Sequence, residues 1–192
     1  MFDVRVTLAF MRLSHLISLC TVFTLGVALP LSAQTTKGQL AAGGDVGLYF
    51  PDEAFEKTVT LDGFVEYTIA PNMSVRGLLG WASPGFENFT EDHFRQVRLL
   101  FNGVYSWKGT QWHPYVTAGA GAYFLRQLFA NAPDPDSEVR GGLNFGGGAE
   151  YYIDKNNKSS LKGELRFDIV SHPTGFPDAT GVTVTIGFKR YL

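Results

Sequence analysis

From residue 40 onward the chain alternates apolar and polar residues with a period of two, and it does so in eight separate segments. Successive side chains of a β-strand point to opposite faces, so this alternation describes strands with one apolar and one polar face. Between Thr58 and Ile69, one face takes Val59, Leu61, Val65, Tyr67 and Ile69. The other takes Thr58, Thr60, Asp62, Glu66 and Thr68. Leu161, Leu165, Phe167 and Ile169 oppose Lys162, Glu164, Arg166 and Asp168, and Val182, Val184, Ile186 and Phe188 oppose Thr183, Thr185, Gly187 and Lys189. No helical periodicity competes with this pattern after residue 40.

The eight segments are 40–50, 58–70, 73–82, 94–107, 112–126, 139–153, 160–170 and 181–192. A strand of a soluble sandwich runs about 5–6 residues, whereas a tilted strand crossing a bilayer needs about 9–11, which every segment reaches. The fifth has the weakest contrast because of its Ala-Gly run, and its outward face is read as Val116, Ala118, Ala120 and Phe124. Tight turns at 70–72, 108–111 and 154–159 alternate with longer connections at 51–57, 83–93, 127–138 and 171–180. An even strand count with short turns on one rim and long loops on the other is the pattern of an outer-membrane barrel. The fold class expected is all-β: an eight-stranded antiparallel transmembrane barrel over 34–192, preceded by a cleavable signal peptide at 1–33.

That leading segment has Arg5 and Arg12 ahead of an uncharged apolar stretch, 16–33, and a small-residue exit at Ser32-Ala33-Gln34. These are the parts of a secretory signal peptide, and Pro30 with that exit favours cleavage over a membrane anchor. Cys20, the single cysteine, lies inside it behind bulky Leu19, which argues against lipidation and leaves 34–192 without a disulfide. The net charge of −2, or −3 without residues 1–33, excludes the basic stripe of a nucleic-acid binder.

Charge sorts by position. The long connections hold Asp52, Glu53, Glu56, Glu87, Glu91, Asp92, Asp134, Asp136, Glu138 and Asp178 against Lys57, while the short turns carry Lys108, Lys155 and Lys158 against Asp154. The polar strand face holds Asp45, Asp62, Glu66, Glu150, Glu164 and Asp168 against Arg76, Arg98, Lys162, Arg166 and Lys189. Eight strands enclose an interior just wide enough for side chains, so these charges are expected to pair in a plugged lumen. Trp107 and Trp112 beside a short turn and Trp81 at a long loop are expected to form interfacial girdles.

The stretches His113-Pro114-Tyr115-Val116, Ala118 to Gly121, Asn144 to Tyr152, Leu161 to Phe167 and the closing Val182 to Leu192 carry a likeness. Over 34–192 the chain resembles the small outer-membrane β-barrel domain family, of the OmpA/OmpX-like and opacity-protein-like type. The resemblance implies outer-membrane localisation, contact with outer-membrane lipid and lipopolysaccharide, and recognition of the C-terminal strand by the barrel assembly machinery. A monomer is expected, with no nucleic-acid partner.

No catalytic, cofactor-binding or metal site is assigned. Gly119-Ala120-Gly121 and Gly146-Gly147-Gly148 complete no phosphate-binding fingerprint and read as room for bulky neighbours in a curved sheet. Ser171-His172 brings to mind a lipid A deacylase, but Asp168 stands where the resemblance would require a His. His93, His113 and His172 lie in different connections or rims and share no ligand spacing. Asp134, Asp136 and Glu138 have no calcium-loop spacing, and Asp62, Glu66, Glu164 and Asp168 have arginines nearby, which favours salt bridges over paired-carboxylate chemistry. The expected function is non-enzymatic, structural or interactive, at the cell envelope. A lipid A-modifying barrel and a small passive porin are the alternatives, and a charged inner face speaks against a lipocalin-like carrier.

Overall fold

The computed structural model describes residues 37–51, 56–86, 89–107, 109, 111–128, 137–154, 156, 158–171 and 180–192, with backbone alone at 85–86, 89–94 and 127–128. The expected signal segment, Cys20, His172, most loop acids (Asp52, Glu53, Glu87, Asp134, Asp136, Asp178), the turn bases Lys108 and Lys155, and the side chains of Glu91, Asp92 and His93 lie outside that description.

Among the described residues nine strands form: β1 (Leu40–Pro51), β2 (Thr58–Ala70), β3 (Met73–Ala82), β4 (Gly85–Phe86), β5 (Phe89–Ser106), β6 (Trp112–Leu128), β7 (Glu138–Tyr152), β8 (Ser159–Val170) and β9 (Gly181–Tyr191). Each long strand pairs antiparallel with its sequence neighbour, β1 pairs with β9, and β3 pairs with β5, so eight long strands close on themselves. Closure leaves no unpaired edge, the condition for a sheet to cross a bilayer. The expected boundaries hold to within a few residues. The 83–93 connection is the exception, because β5 begins at Phe89 and β4 pairs with it, extending that hairpin beyond the expected loop. The segment Phe89–Phe94 shows no alternation of apolar and polar residues in the sequence, which hid the strand's length there.

Alternation sets the two faces. On β2, Val59, Leu61, Val65, Tyr67 and Ile69 are exposed, while Thr60, Asp62, Phe64, Glu66 and Thr68 are buried. The fifth long strand follows the expected parity, with Val116, Ala118, Ala120 and Phe124 outward. An apolar outer wall around a polar interior is the reverse of a soluble barrel and requires lipid outside. Trp107 and Trp112 are exposed beside the short turn at 107–111, and Trp81 is exposed at the opposite rim. Trp107 packs edge-on against Tyr105 at 5.2 Å, and Trp112 tilts on Tyr151 at 4.9 Å. The first and last strands meet at the short-turn rim, where the Leu192 amide donates to the Leu40 carbonyl at 2.9 Å.

Candidate functional site: a charged lumen

All eleven charged residues expected on the inner face are buried. They form a chain of ion pairs along the lumen. At the short-turn end Lys189 donates to Glu66 and Glu150, each at 2.8 Å. Arg76 joins Glu66, at 2.9 Å, to Glu164, at 2.6 Å, reaching from β3 to β8. Lys162 lies between Asp45, at 2.9 Å, and Glu164, at 3.3 Å. Towards the long loops, Asp62 accepts from Arg98 at 2.8 Å and from Arg166 at 2.9 Å. Asp168 stands 3.5 Å from both of those guanidinium groups.

Local sequence makes these meetings possible through glycine. Two residues on alternate strands share a row but lie two strand spacings apart, about 9–10 Å. Their side chains can meet only over a residue that offers none. Gly80 sits between Asp62 and Arg98, and Gly187 between Asp45 and Lys162. A Cβ on Gly80 would strike the Asp62 carboxylate and the Arg98 Nε, and one on Gly187 would strike Asp45. Gly148 likewise separates Tyr115 from Glu164, whose hydrogen bond is 2.8 Å. Gly119 separates Asn102 from Asn144, which pair at 2.6 Å. The Gly119–Gly121 and Gly146–Gly148 runs are therefore saddles under polar pairs and room for neighbours.

Sequence reasoning missed the inward tyrosines and one arginine. Tyr123 donates to Asp168 at 2.9 Å, and Tyr152 donates to the Tyr191 hydroxyl at 3.0 Å. Tyr191 in turn reaches Glu150 at 3.3 Å. Their strand parity was the available signal, but tyrosine suits either face, and only the charged residues of the inner face were singled out. Arg140 is buried and bonds Glu138 at 2.8 Å. Its parity with Asn144 and Glu150 on β7 would have found it. At the short-turn end a cavity of about 10 Å³, bordered by Glu66, Ser74, His113 and Glu150, has room for one water.

The remaining candidates do not converge. His113 is buried at the short-turn end, packed edge-on against Tyr152 at 4.7 Å. Ser171 lies just beyond β8 with its amide bonded to the Gly141 carbonyl at 3.0 Å. Asp168 points into the lumen, held by Tyr123 and Thr183, and so faces away from the lipid wall. Asp62, Glu66, Glu164 and Asp168, for which salt bridges were expected in place of paired-carboxylate chemistry, are each engaged with an arginine. Among the described residues, no group of three His, Cys, Asp or Glu side chains could hold a metal ion.

A closed barrel with this inverted polarity matches a known family: the outer membrane protein beta-barrel domain aligns with residues 19–189. The chain belongs to that family. Solved structures agree on the fold at low identity. Neisserial surface protein A is 11% identical with a TM-score of 0.63, covering 83% of this chain and 99% of its own. The outer membrane protein OprG of Pseudomonas aeruginosa is 12% identical with a TM-score of 0.62, covering 81% and 96%. The N-terminal barrel domain of OprF from the same organism is 13% identical with a TM-score of 0.60, covering 81% and 98%. No curated protein matches the chain. This barrel is thus an outer-membrane protein, and its apolar wall is the face that meets lipid.

Proposed function

We propose that this outer-membrane barrel is a non-enzymatic, non-conducting module that serves the envelope through its structure and its outer surface. One observation carries the reading: the lumen charges are paired with one another from Tyr191 at one end to Tyr123 at the other. A conducting path would have to part these pairs, and breaking a buried pair costs about 3–5 kcal/mol. Each of the six described lumen carboxylates also has a base in contact, so none of them stands as a free general acid or nucleophile. A deacylase reading needs a His where Asp168 stands on β8, and that carboxylate is held inside the lumen by Tyr123 and Thr183.

In this reading residues 1–33 are the export segment, removed on secretion. The C-terminal strand β9 is what the assembly machinery recognises, and the barrel works as a monomer. Reconstitution in planar bilayers tests the closed lumen. The expected result is no steady single-channel current at high salt. A stable conductance would overturn it in favour of the porin. Acyl release from lipid A by the purified barrel, abolished in His172→Ala, would instead establish the enzyme.

A further inference from the structure

His113 stands at the short-turn mouth of the lumen, on β6, and is 4% exposed. Its Nδ1–H donates to the Gly109 carbonyl in the adjoining turn, while its Nε2 is buried with no hydrogen-bond partner among the described residues. A neutral imidazole that donates from one nitrogen keeps a lone pair on the other, and a proton adds there. The ring packs edge-on against Tyr152 and borders the cavity that has room for one water. Directly opposite it across the β6–β7 ladder stands Glu150. Opposed side chains in an antiparallel pair have Cβ atoms about 4.5–5.5 Å apart, so a proton on the ring brings a new donor to this carboxylate. Both Glu150 oxygens are already taken: Oε1 accepts from Lys189 at 2.8 Å and Oε2 from the Tyr191 hydroxyl at 3.3 Å. Tyr191 in turn accepts from Tyr152, the residue against the His113 ring.

A third donor at Glu150 has to displace one of these two. Lys189 is charged and is also bound to Glu66, so the longer and neutral bond from Tyr191 gives way. We infer that His113 is a proton-operated latch on the end of β9. Neutral, it leaves Tyr191 on Glu150. Protonated, it takes that carboxylate oxygen and releases the Tyr191 hydroxyl, beside the seam where β9 meets β1. The Tyr191 amide bonds the Lys158 carbonyl at 2.8 Å, and the next amide, of Leu192, makes the bond to Leu40 that closes the seam. The other charges facing the site, Glu66 of β2 and Lys189 of β9, are bound to each other. From β3 and β5 the cavity meets Ser74 and Ser106, which stay neutral throughout. Lys108, in the adjoining turn, lies outside the described residues. Arg76 and the pairs beyond it keep their partners, so the latch acts on one mouth and not on the plug.

The test is solution NMR of the refolded barrel in detergent micelles, titrated from about pH 8 to about pH 4, a range that brackets an ordinary imidazole. The His113 ring should titrate inside the folded barrel, its signals identified by their loss in His113→Gln. The Tyr191 ring carbon that bears the hydroxyl should move with the same midpoint. Uptake of one proton changes an opening equilibrium by at most about tenfold per pH unit. Hydrogen-exchange protection of the Tyr191 and Leu192 amides, corrected for intrinsic rate, should therefore fall about tenfold through the transition, while that of Leu143 in mid-wall stays level. In His113→Gln, with closure checked by heat-modifiable migration, both the Tyr191 movement and the loss of protection should vanish. The shared midpoint in the parent stands as a test even where that variant does not refold. A His113 ring silent across the titration would overturn the latch. Tyr191 movement that persists in His113→Gln would overturn it in favour of direct protonation of Glu150. Protection that rises with acid would overturn the release and make the imidazolium an added tie. None of these readouts is conductance, so the latch can fail while the closed lumen stands.

Discussion

Asp62 accepts from guanidinium groups on two different strands, Arg98 of β5 and Arg166 of β8, and so ties opposite parts of the wall together. Asp62→Asn would leave both cations buried with half their compensation. Its expected cost is about 3–5 kcal/mol in urea unfolding of the reconstituted barrel, with no change in outer-surface properties. Gly80→Leu should cost a comparable amount by a different route. Its side chain would occupy the saddle over which Asp62 and Arg98 meet, with no change in any charge. The acids and bases could be picked out from parity alone, since Asp62, Glu66 and Arg76 lie on polar faces. Which partner each takes could not, because pairing depends on row alignment between strands far apart in sequence. Arg76 and Glu164, for example, are separated by 88 positions.

Strands were the most readable level. Apolar residues at every second position leave one way to turn a strand whose outer face meets lipid, because a one-residue slip exchanges the two faces. That constraint carried even the Ala-Gly stretch of β6. The extension of β5 to Phe89 was not readable, because beyond the bilayer neither face has to be apolar. Depth along a strand also fixes the cost of an outward charge. Leu143→Arg, near the middle of β7, should destabilise by about 2–4 kcal/mol. Val139→Arg, at the rim of the same strand and the same face, should cost about 0–1 kcal/mol. Equilibrium unfolding in vesicles separates the two, and equal penalties would contradict the placement of the bilayer.

For the molecule as a whole, a lumen held by buried pairs should respond little to ionic strength, since mobile ions screen exposed charges far more than enclosed ones. Raising salt from 0.1 M to 1 M should leave the bilayer silent. Closure itself was legible from strand count and loop alternation, but the β1–β9 contact that completes it belongs to the three-dimensional chain path. At that contact Leu192 and Leu40 are joined by a single backbone hydrogen bond at the short-turn rim. The order in which the strands follow one another is consequently arbitrary from the barrel's side. A short linker across the seam would turn it into one more hairpin, and the backbone could be cut at any outer loop without removing a ladder. Such a circular permutant would present both of its new ends to the outside of the cell.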